Sequence, residues 1–518
     1  MNLIEWPPMA QSIRGKVYLV GAGPGDPKLL TLRGKELLAQ AEMIIYDYLA
    51  NPALLEFSQD SAEKIYAGKK GGTDSASYQD DLNRRMIQAA QEGKFVVRLK
   101  GGDPFIFGRG GEEAEALAEA NIPFEVVPGV SSAIGVPAYA GIPLSHRNIA
   151  SSIGIITGHQ DINHPEKKIN WAKLATGCDT LVFLMGMGNL PTIITQLIQH
   201  GKDPKTPMAL IQWGTHPYQK TVIGTVDNIQ EKIKQDKINP PVVMVIGAVV
   251  NLRDQMNWFE TRPLFRKRIV VTRARENSAE FSDMLSLYGA EVILFPTLKI
   301  VPPPDFVDLD NAITHIDQYN TIIFTSVNGV QSFYHRLRQL GYDIRILKGI
   351  SLCAIGPKTR EAISALGLLC DFIPSEYTAE GIMDALEKQG VLGKRFLLPR
   401  AMQAREVLPE FIIKQGGQID VVPAYQAIPP AEDEIAPILQ KGPIDMLTFG
   451  SASTVKNFID RMNPKMREFV SETAIACIGP ITAEAAVRCG LRVDLVPKEY
   501  TFRALTESIV QYYIDKKN

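Results

Sequence analysis

A short apolar run, KVYLV (16–20), passes straight into the small-residue turn GAGPGD (21–26) and then into the helical pattern LLTLRGKELLAQA. A strand that feeds a tight turn and a helix is the building unit of α/β folds, where helices carry the chain between parallel strands. The device recurs along the first half: MIIYDYL, then FVVRLKGGDP with a helix from Gly111 to Ala120. SIGIITG, TLVFLMG, MALIQWG and PVVMVIG follow, each ending in glycine. Glycine lets the chain turn tightly at strand ends, which is where open α/β sheets place ligands. The first half therefore reads as α/β with a mostly parallel sheet.

At 518 residues the chain exceeds one hydrophobic core. A boundary falls near residues 253–267, where the apolar strand VVMVIGAVV gives way to RDQMNWFETRPLFRK and a new strand, RIVVTR, begins. The second half repeats itself. Phe324-Thr325-Ser326-Val327 is echoed by Phe449-Gly450-Ser451-Ala452, and Ala354-Ile355-Gly356-Pro357 by Cys477-Ile478-Gly479-Pro480. Glu376-Tyr377-Thr378 likewise returns as Glu499-Tyr500-Thr501. Such self-similarity predicts two related α/β lobes with a ligand cleft between them.

Composition narrows the function classes. The charges nearly balance in each half, with 26 basic against 27 acidic residues up to Phe265 and 29 against 30 after it. Neither half has the basic excess of a general nucleic-acid binder. The longest apolar stretch, Pro241 to Leu252, is too short to span a bilayer, so no membrane partner is expected. Residues 1–15 carry Glu5 and paired prolines and read as a leader, not a signal peptide. Five widely spaced cysteines without a CxxC pair, and seven histidines without HExxH or HxH, predict neither disulfides nor a metal. A cytoplasmic protein fits these features best.

Three segments of the first half carry chemistry. GAGPGD follows a strand as a dinucleotide fingerprint would, but aspartate (Asp26) stands where the third glycine belongs. Asp47 ends the next strand, about where a ribose-binding acid would lie, so a nicotinamide-binding domain is a rival on this motif alone. GGDPFIFGRGGEE (101–113) sets Asp103 and Arg109 around two aromatics, and VPGVSSAIG (127–135) and GIPLSHR (141–147) follow.

With YAGKKGG, LVFLMG and the closing NWFE, these ordered motifs resemble the uroporphyrinogen-III C-methyltransferases of the tetrapyrrole methylase family, over about residues 16–260. The resemblance implies a two-lobed methylase domain with S-adenosylmethionine in its cleft and no metal. It implies donor contacts from Pro24, Gly101, Gly102, Asp103, Ile106, Ser131, Ser132, Met185 and Gly214. It further implies Asp47 as general base and Lys69 as proton donor. Lys70, Arg109 and Arg147 are the expected grips on the substrate's carboxylates, since arginine binds carboxylates bidentately. Members of this family are typically dimeric, so a homodimer through this half is expected.

In the second half VVTRARE, FTSVNGV, AIGPKT, FGSAST and CIGPITA, with the two Tyr-Thr pairs, resemble uroporphyrinogen-III synthases over about residues 267–518. The implied domain is two-lobed, with lobe one at about 267–300 and 429–518, lobe two at about 301–428, and a linker at 261–266. Its implied substrate contacts are Thr325, Ser326, Ser451, Ser453 and Thr482, with Arg273 and Arg275 for carboxylates. Tyr425 matches a tyrosine that assists hydroxyl departure. Together the two resemblances imply a bifunctional enzyme acting on hydroxymethylbilane, uroporphyrinogen III, precorrin-1 and precorrin-2, for siroheme or cobalamin. Two rival readings stand: a nicotinamide-dependent oxidoreductase fused to a small-molecule binding module, and a methylase of a later corrin intermediate.

Overall fold

The first apolar run forms β1 (Lys16–Gly21), flanked by β4 (Phe95–Lys100) and β5 (Phe124–Val127), with β2 (Met43–Tyr46) and β3 (Glu63–Tyr66) beyond β4. All four pairings are parallel. The computed structural model describes residues 15–68, 75–158, 169–272, 278–295, 299–374, 376–402, 407–428, 442–461, 470 and 472–516. The chain divides into two compact units, Met1–Lys267 with Leu287–Glu291, and Arg268–Ser286 with Val292–Asn518.

Both faces of the first sheet are covered. Tyr18, Val20, Leu37, Leu38 and Ile44 pack on one side, and Val17, Leu19, Ile45, Leu82 and Met86 on the other. Two-sided burial explains why these strands read as continuous apolar runs and not as alternation. Each buried aliphatic side chain contributes about 1.5–3 kcal/mol.

The second lobe of this unit holds β6 (Ile153–Thr157), β7 (Thr180–Leu184), β8 (Pro207–Gln212), β9 (Lys220–Thr225) and β10 (Val242–Ile246), in the order β6-β7-β10-β8-β9. Only β6 and β7 run parallel; β10 is antiparallel to both its neighbours, and β8 and β9 are antiparallel. The mostly parallel expectation, drawn from the first group of strands, holds for the first sheet, while the second sheet is mixed. The seven residues between β8 and β9 are too few for a crossover helix, so the chain must fold straight back.

The second unit has two sheets of its own. One comprises β11 (Arg268–Val271), β12 (Glu291–Leu294), β18 (Met446–Phe449) and β19 (Ala474–Cys477); the other comprises β13 (Lys299–Val301), β14 (Thr321–Phe324), β15 (Ser351–Ala354), β16 (Arg395–Ala401) and β17 (Gln418–Ile428). The sequence repeat is a structural one. Strands β14 and β18 each run into a serine N-cap, Ser326 and Ser451, whose hydroxyl accepts a backbone N–H three residues on. Strands β15 and β19 each run into an Ile-Gly-Pro turn that opens a nine-residue helix. The architecture is a two-lobed α/β unit followed by a second, internally duplicated one.

Candidate functional site

Three turns converge at the carboxyl ends of β1, β4 and β5. Gly23 and Gly102 exchange backbone hydrogen bonds at 3.2 and 2.8 Å, joining the turns after β1 and β4. Asp103 Oδ2 accepts the N–H of Gly129 at 3.0 Å, bringing in the turn after β5, while Oδ1 accepts that of Phe105 at 2.8 Å. A Cβ on Gly129 would stand 2.3 Å from the Gly102 carbonyl oxygen, so the turns meet backbone to backbone. Gly102 has φ +70°, a left-handed conformation that suits glycine.

Below these turns lies a cavity of about 390 Å³. Of the nine positions expected to hold a methyl donor, Pro24, Gly101, Gly102, Ile106, Ser132, Met185 and Gly214 line it. Asp103 is absent from the lining and staples the turns together. Ser131 is also absent from it; it is buried and caps the helix Ser132–Tyr139 through the N–H of Ala133.

The lining also contains residues that the sequence reading passed over: Phe107, Trp213 and His216. Phe107, Met185 and Trp213 have φ of 54°, 55° and 48°, and neighbouring Arg109 and Thr215 have 60° and 68°. Left-handed backbone at non-glycine residues costs about 1–3 kcal/mol each and gathers at ligand sites. Asp26 is explained as well. It caps the turn at Lys28 and accepts the Tyr139 hydroxyl at 2.8 Å, and its own N–H is donated to Thr215 Oγ1 at 3.0 Å. The residue that breaks the dinucleotide fingerprint ties the first turn to the helix Ser132–Tyr139 and to Thr215 of the second lobe.

No lysine, arginine or carboxylate lines the cavity among the described residues. Its imidazole, His216, stacks on Tyr218 and meets Trp213 edge-on. Burial pulls His216 down to about 4, against the opposing pull of Asp26, so it is neutral near pH 7. A stability consequence follows. Below its ordinary value of 6.5 the unfolded chain takes up a proton that folded His216 does not accept. Stability is therefore full above that pH, falls as pH drops, and levels off below about 4. The first unit should lose about 2 kcal/mol between pH 7 and 5 from this group. Thermal unfolding of His216→Gln should show a flatter pH dependence than the parent; an equal slope would remove His216 from the account.

Asp47 follows β2 with its side chain 29% exposed. Arg98 Nη2 donates to its Oδ1 at 2.5 Å. Arg98 also donates to Glu113 at 3.0 Å, and Lys100 pairs with Glu113 at 2.8 Å. Burial opposes the Arg98 cation, but Asp47 and Glu113 more than offset it and hold its pKa up. For Lys100 burial and the adjacent Arg98 outweigh Glu113, so its pKa is lowered. Arg109 is part-exposed and forked onto Glu112, and Arg147 is exposed. Lys69, Lys70, Arg273 and Arg275 lie outside the described residues.

In the second unit Ser326 Oγ and Tyr425 OH stand 3.1 Å apart, with the tyrosine ring buried in the core of its lobe. Thr325 adjoins Ser326 at the end of β14. Ser451 and Ser453 share a hydrogen bond of 2.9 Å in the other lobe, where Thr482 lies buried in the helix Pro480–Arg488. Among the described residues no group of three or more His, Cys, Asp or Glu could hold a metal ion, and no helix is long and apolar enough to cross a membrane.

Residues 16–230 match the model of the tetrapyrrole (corrin/porphyrin) methylases, and residues 279–507 that of uroporphyrinogen-III synthase HemD. The porphyrin biosynthesis protein HemD of Ruminiclostridium josui is 36% identical over 499 residues, which cover 96% of this chain and 98% of that protein. A uroporphyrinogen-III C-methyltransferase of Bacillus subtilis is 47% identical over 249 residues, 48% of this chain and 95% of its own length. A siroheme synthase of Pseudomonas entomophila is 47% identical over 258 residues, 50% of this chain and 55% of that protein. With a relative matched from end to end and both family models met in order, the chain belongs to the family of porphyrin biosynthesis proteins that fuse a uroporphyrinogen-III C-methyltransferase to a uroporphyrinogen-III synthase.

Proposed function

We infer that the first unit methylates uroporphyrinogen III twice, through precorrin-1 to precorrin-2, with S-adenosylmethionine as donor. The observation that carries this is the cavity wall, whose described residues offer glycine-turn backbone, apolar side chains and an imidazole held neutral. A sulfonium cation suits a wall whose described residues include no lysine or arginine. A volume of about 390 Å³ is that of a small-molecule site. Pro24, Gly101, Gly102, Ile106, Ser132, Met185 and Gly214 would hold the donor, and Asp103 and Ser131 would support it from behind. Bound there, the donor supplies an electrophilic methyl carbon.

The chain's own part is alignment and proton management. Fixed turns hold the reactants in line, which replaces a bimolecular encounter by a positioned one. Asp47 accepts the proton that the substrate must lose after each transfer. Lys69 serves as proton donor, and Lys70, Arg109 and Arg147 meet the acetate and propionate groups. In the second unit hydroxymethylbilane loses its hydroxyl, inverts its last ring and closes to uroporphyrinogen III. Ser326 and Tyr425 form a hydroxyl pair suited to assist that departure. Thr325, Ser451, Ser453 and Thr482, with Arg273 and Arg275, would hold the folded chain away from spontaneous closure. Residues 261–266 would link the two enzymes, and a homodimer would form through the first. The likeness to a siroheme synthase favours siroheme as the destination of the product.

Equilibrium titration of the full chain decides between this reading and the nicotinamide one. S-adenosylmethionine should bind saturably and NAD should not compete with it. Binding of NAD without binding of S-adenosylmethionine would replace the methylase reading by the oxidoreductase one.

A further inference from the structure

Strand β4 (FVVRLK) is buried at all six positions, yet it carries two cations. Arg98 and Lys100 stand two residues apart on one face of the strand and are 3% and 2% exposed. The helix Gly110–Glu119 presents Glu113, fully buried, to the same face. Glu113 pairs with both cations, and Gln79 Nε2 donates to its Oε1 at 3.1 Å. The guanidinium is thereby held in a fixed attitude. Its Nε is committed to Glu113 and its Nη1 lies 3.4 Å from the carbonyls of both Ile45 and Leu99. The remaining arm, Nη2, reaches Asp47.

A cluster serving only to neutralise buried charge would close on itself. This one instead sends an arm to a carboxylate at the end of β2, two residues before Leu49 in the cavity wall. Asp47 is held from its main chain too, by its N–H donated to Leu99 at 3.1 Å. Its Oδ1 is taken by Arg98, and Oδ2 has no hydrogen-bond partner among the described residues. We propose that Arg98 is a positioning residue that fixes Asp47 by one carboxylate oxygen and turns the other toward the substrate. This rests on the reading of Asp47 as the general base. Glu113 and Lys100 complete the device by fixing the guanidinium and balancing its charge, two cations against two carboxylates.

The charged groups acting on Asp47 are Arg98 and Lys100 from β4 and Glu113 from the helix behind it. Tyr46 and Tyr48 flank it in the chain, and Tyr66 of β3 packs on Tyr46. Methyl transfer to uroporphyrinogen III by the full chain tests the assignment in Arg98→Gln and Arg98→Lys, each with Asp47 and with Asp47→Asn. Arg98→Gln should lower kcat about 10–100-fold. KM for the donor should stay within about threefold, and the loss should vanish on the Asp47→Asn background because the two residues act as one. Arg98→Lys keeps the charge without the fork. Its kcat should still be down about fivefold or more.

Parental kcat in Arg98→Gln, or an equal loss on the Asp47→Asn background, overturns the proposal. Should Arg98→Gln fail to fold, parental kcat in Arg98→Lys overturns it alone. If Asp47→Asn itself retains parental turnover, the base assignment fails, a result distinct from failure of the positioning role.

Discussion

Asp47→Asn is expected to slow methyl transfer by about 10²–10⁴-fold, the usual loss when a positioned general base is removed. The amide keeps the size of the carboxylate and can still accept from Arg98, so the strand end and its backbone bond to Leu99 should persist. Binding of donor and of uroporphyrinogen III should change little, which separates a chemical role from a structural one. Steady-state kinetics and donor titration on the same preparation give both quantities. Turnover within about twofold of the parent would make Asp47 a solvated strand-end carboxylate whose ion pair with Arg98 serves the fold.

Gly129→Ala should have a comparably large effect through a different cause. The added methyl group would stand 2.3 Å from the Gly102 carbonyl oxygen and 2.7 Å from the Gly21 Cα, where only backbone could yield. Separating those turns strains the Gly23–Gly102 pair and the Asp103–Gly129 bond, and with them the cavity roof. A loss of about 3 kcal/mol or more in the stability of the first unit is expected, together with loss of donor binding. Conversion of hydroxymethylbilane by the same variant should continue, because the second unit has its own sheets and core. Thermal unfolding and donor titration check the first two outcomes. A parental melting profile with parental donor affinity would show that the convergence of turns is looser than these distances require.

Much of this architecture could be read from residues alone, because glycine at a strand end and a helical pattern after it are local signals. The repeat was equally visible, since serine caps and Ile-Gly-Pro turns recur as residues before they recur as structure. What escaped depends on distance in space. Strand β9 follows β8 after a seven-residue return, so the mixed second sheet left no periodic trace. The left-handed backbone at Phe107, Met185 and Trp213 is imposed by surroundings, and nothing in their side chains announces it. Arg98 looked like an ordinary strand residue until Glu113, fifteen positions on, and Asp47, fifty-one positions back, were found on either side of it. Asp103 stood out in its motif, yet both its oxygens are engaged by neighbouring backbone N–H groups. The motif reading placed Asp103 among the donor contacts, whereas in the structure it supports the turns that line the cavity.

The central claim is that one chain carries two consecutive reactions of tetrapyrrole synthesis. The most direct measurement supplies the full-length protein with hydroxymethylbilane and S-adenosylmethionine together and identifies the tetrapyrrole formed. Dimethylated product derived from uroporphyrinogen III is expected, with unmethylated uroporphyrinogen III accumulating when the donor is withheld. Formation of only the spontaneous uroporphyrinogen I, with no methylation when uroporphyrinogen III is supplied directly, would contradict it.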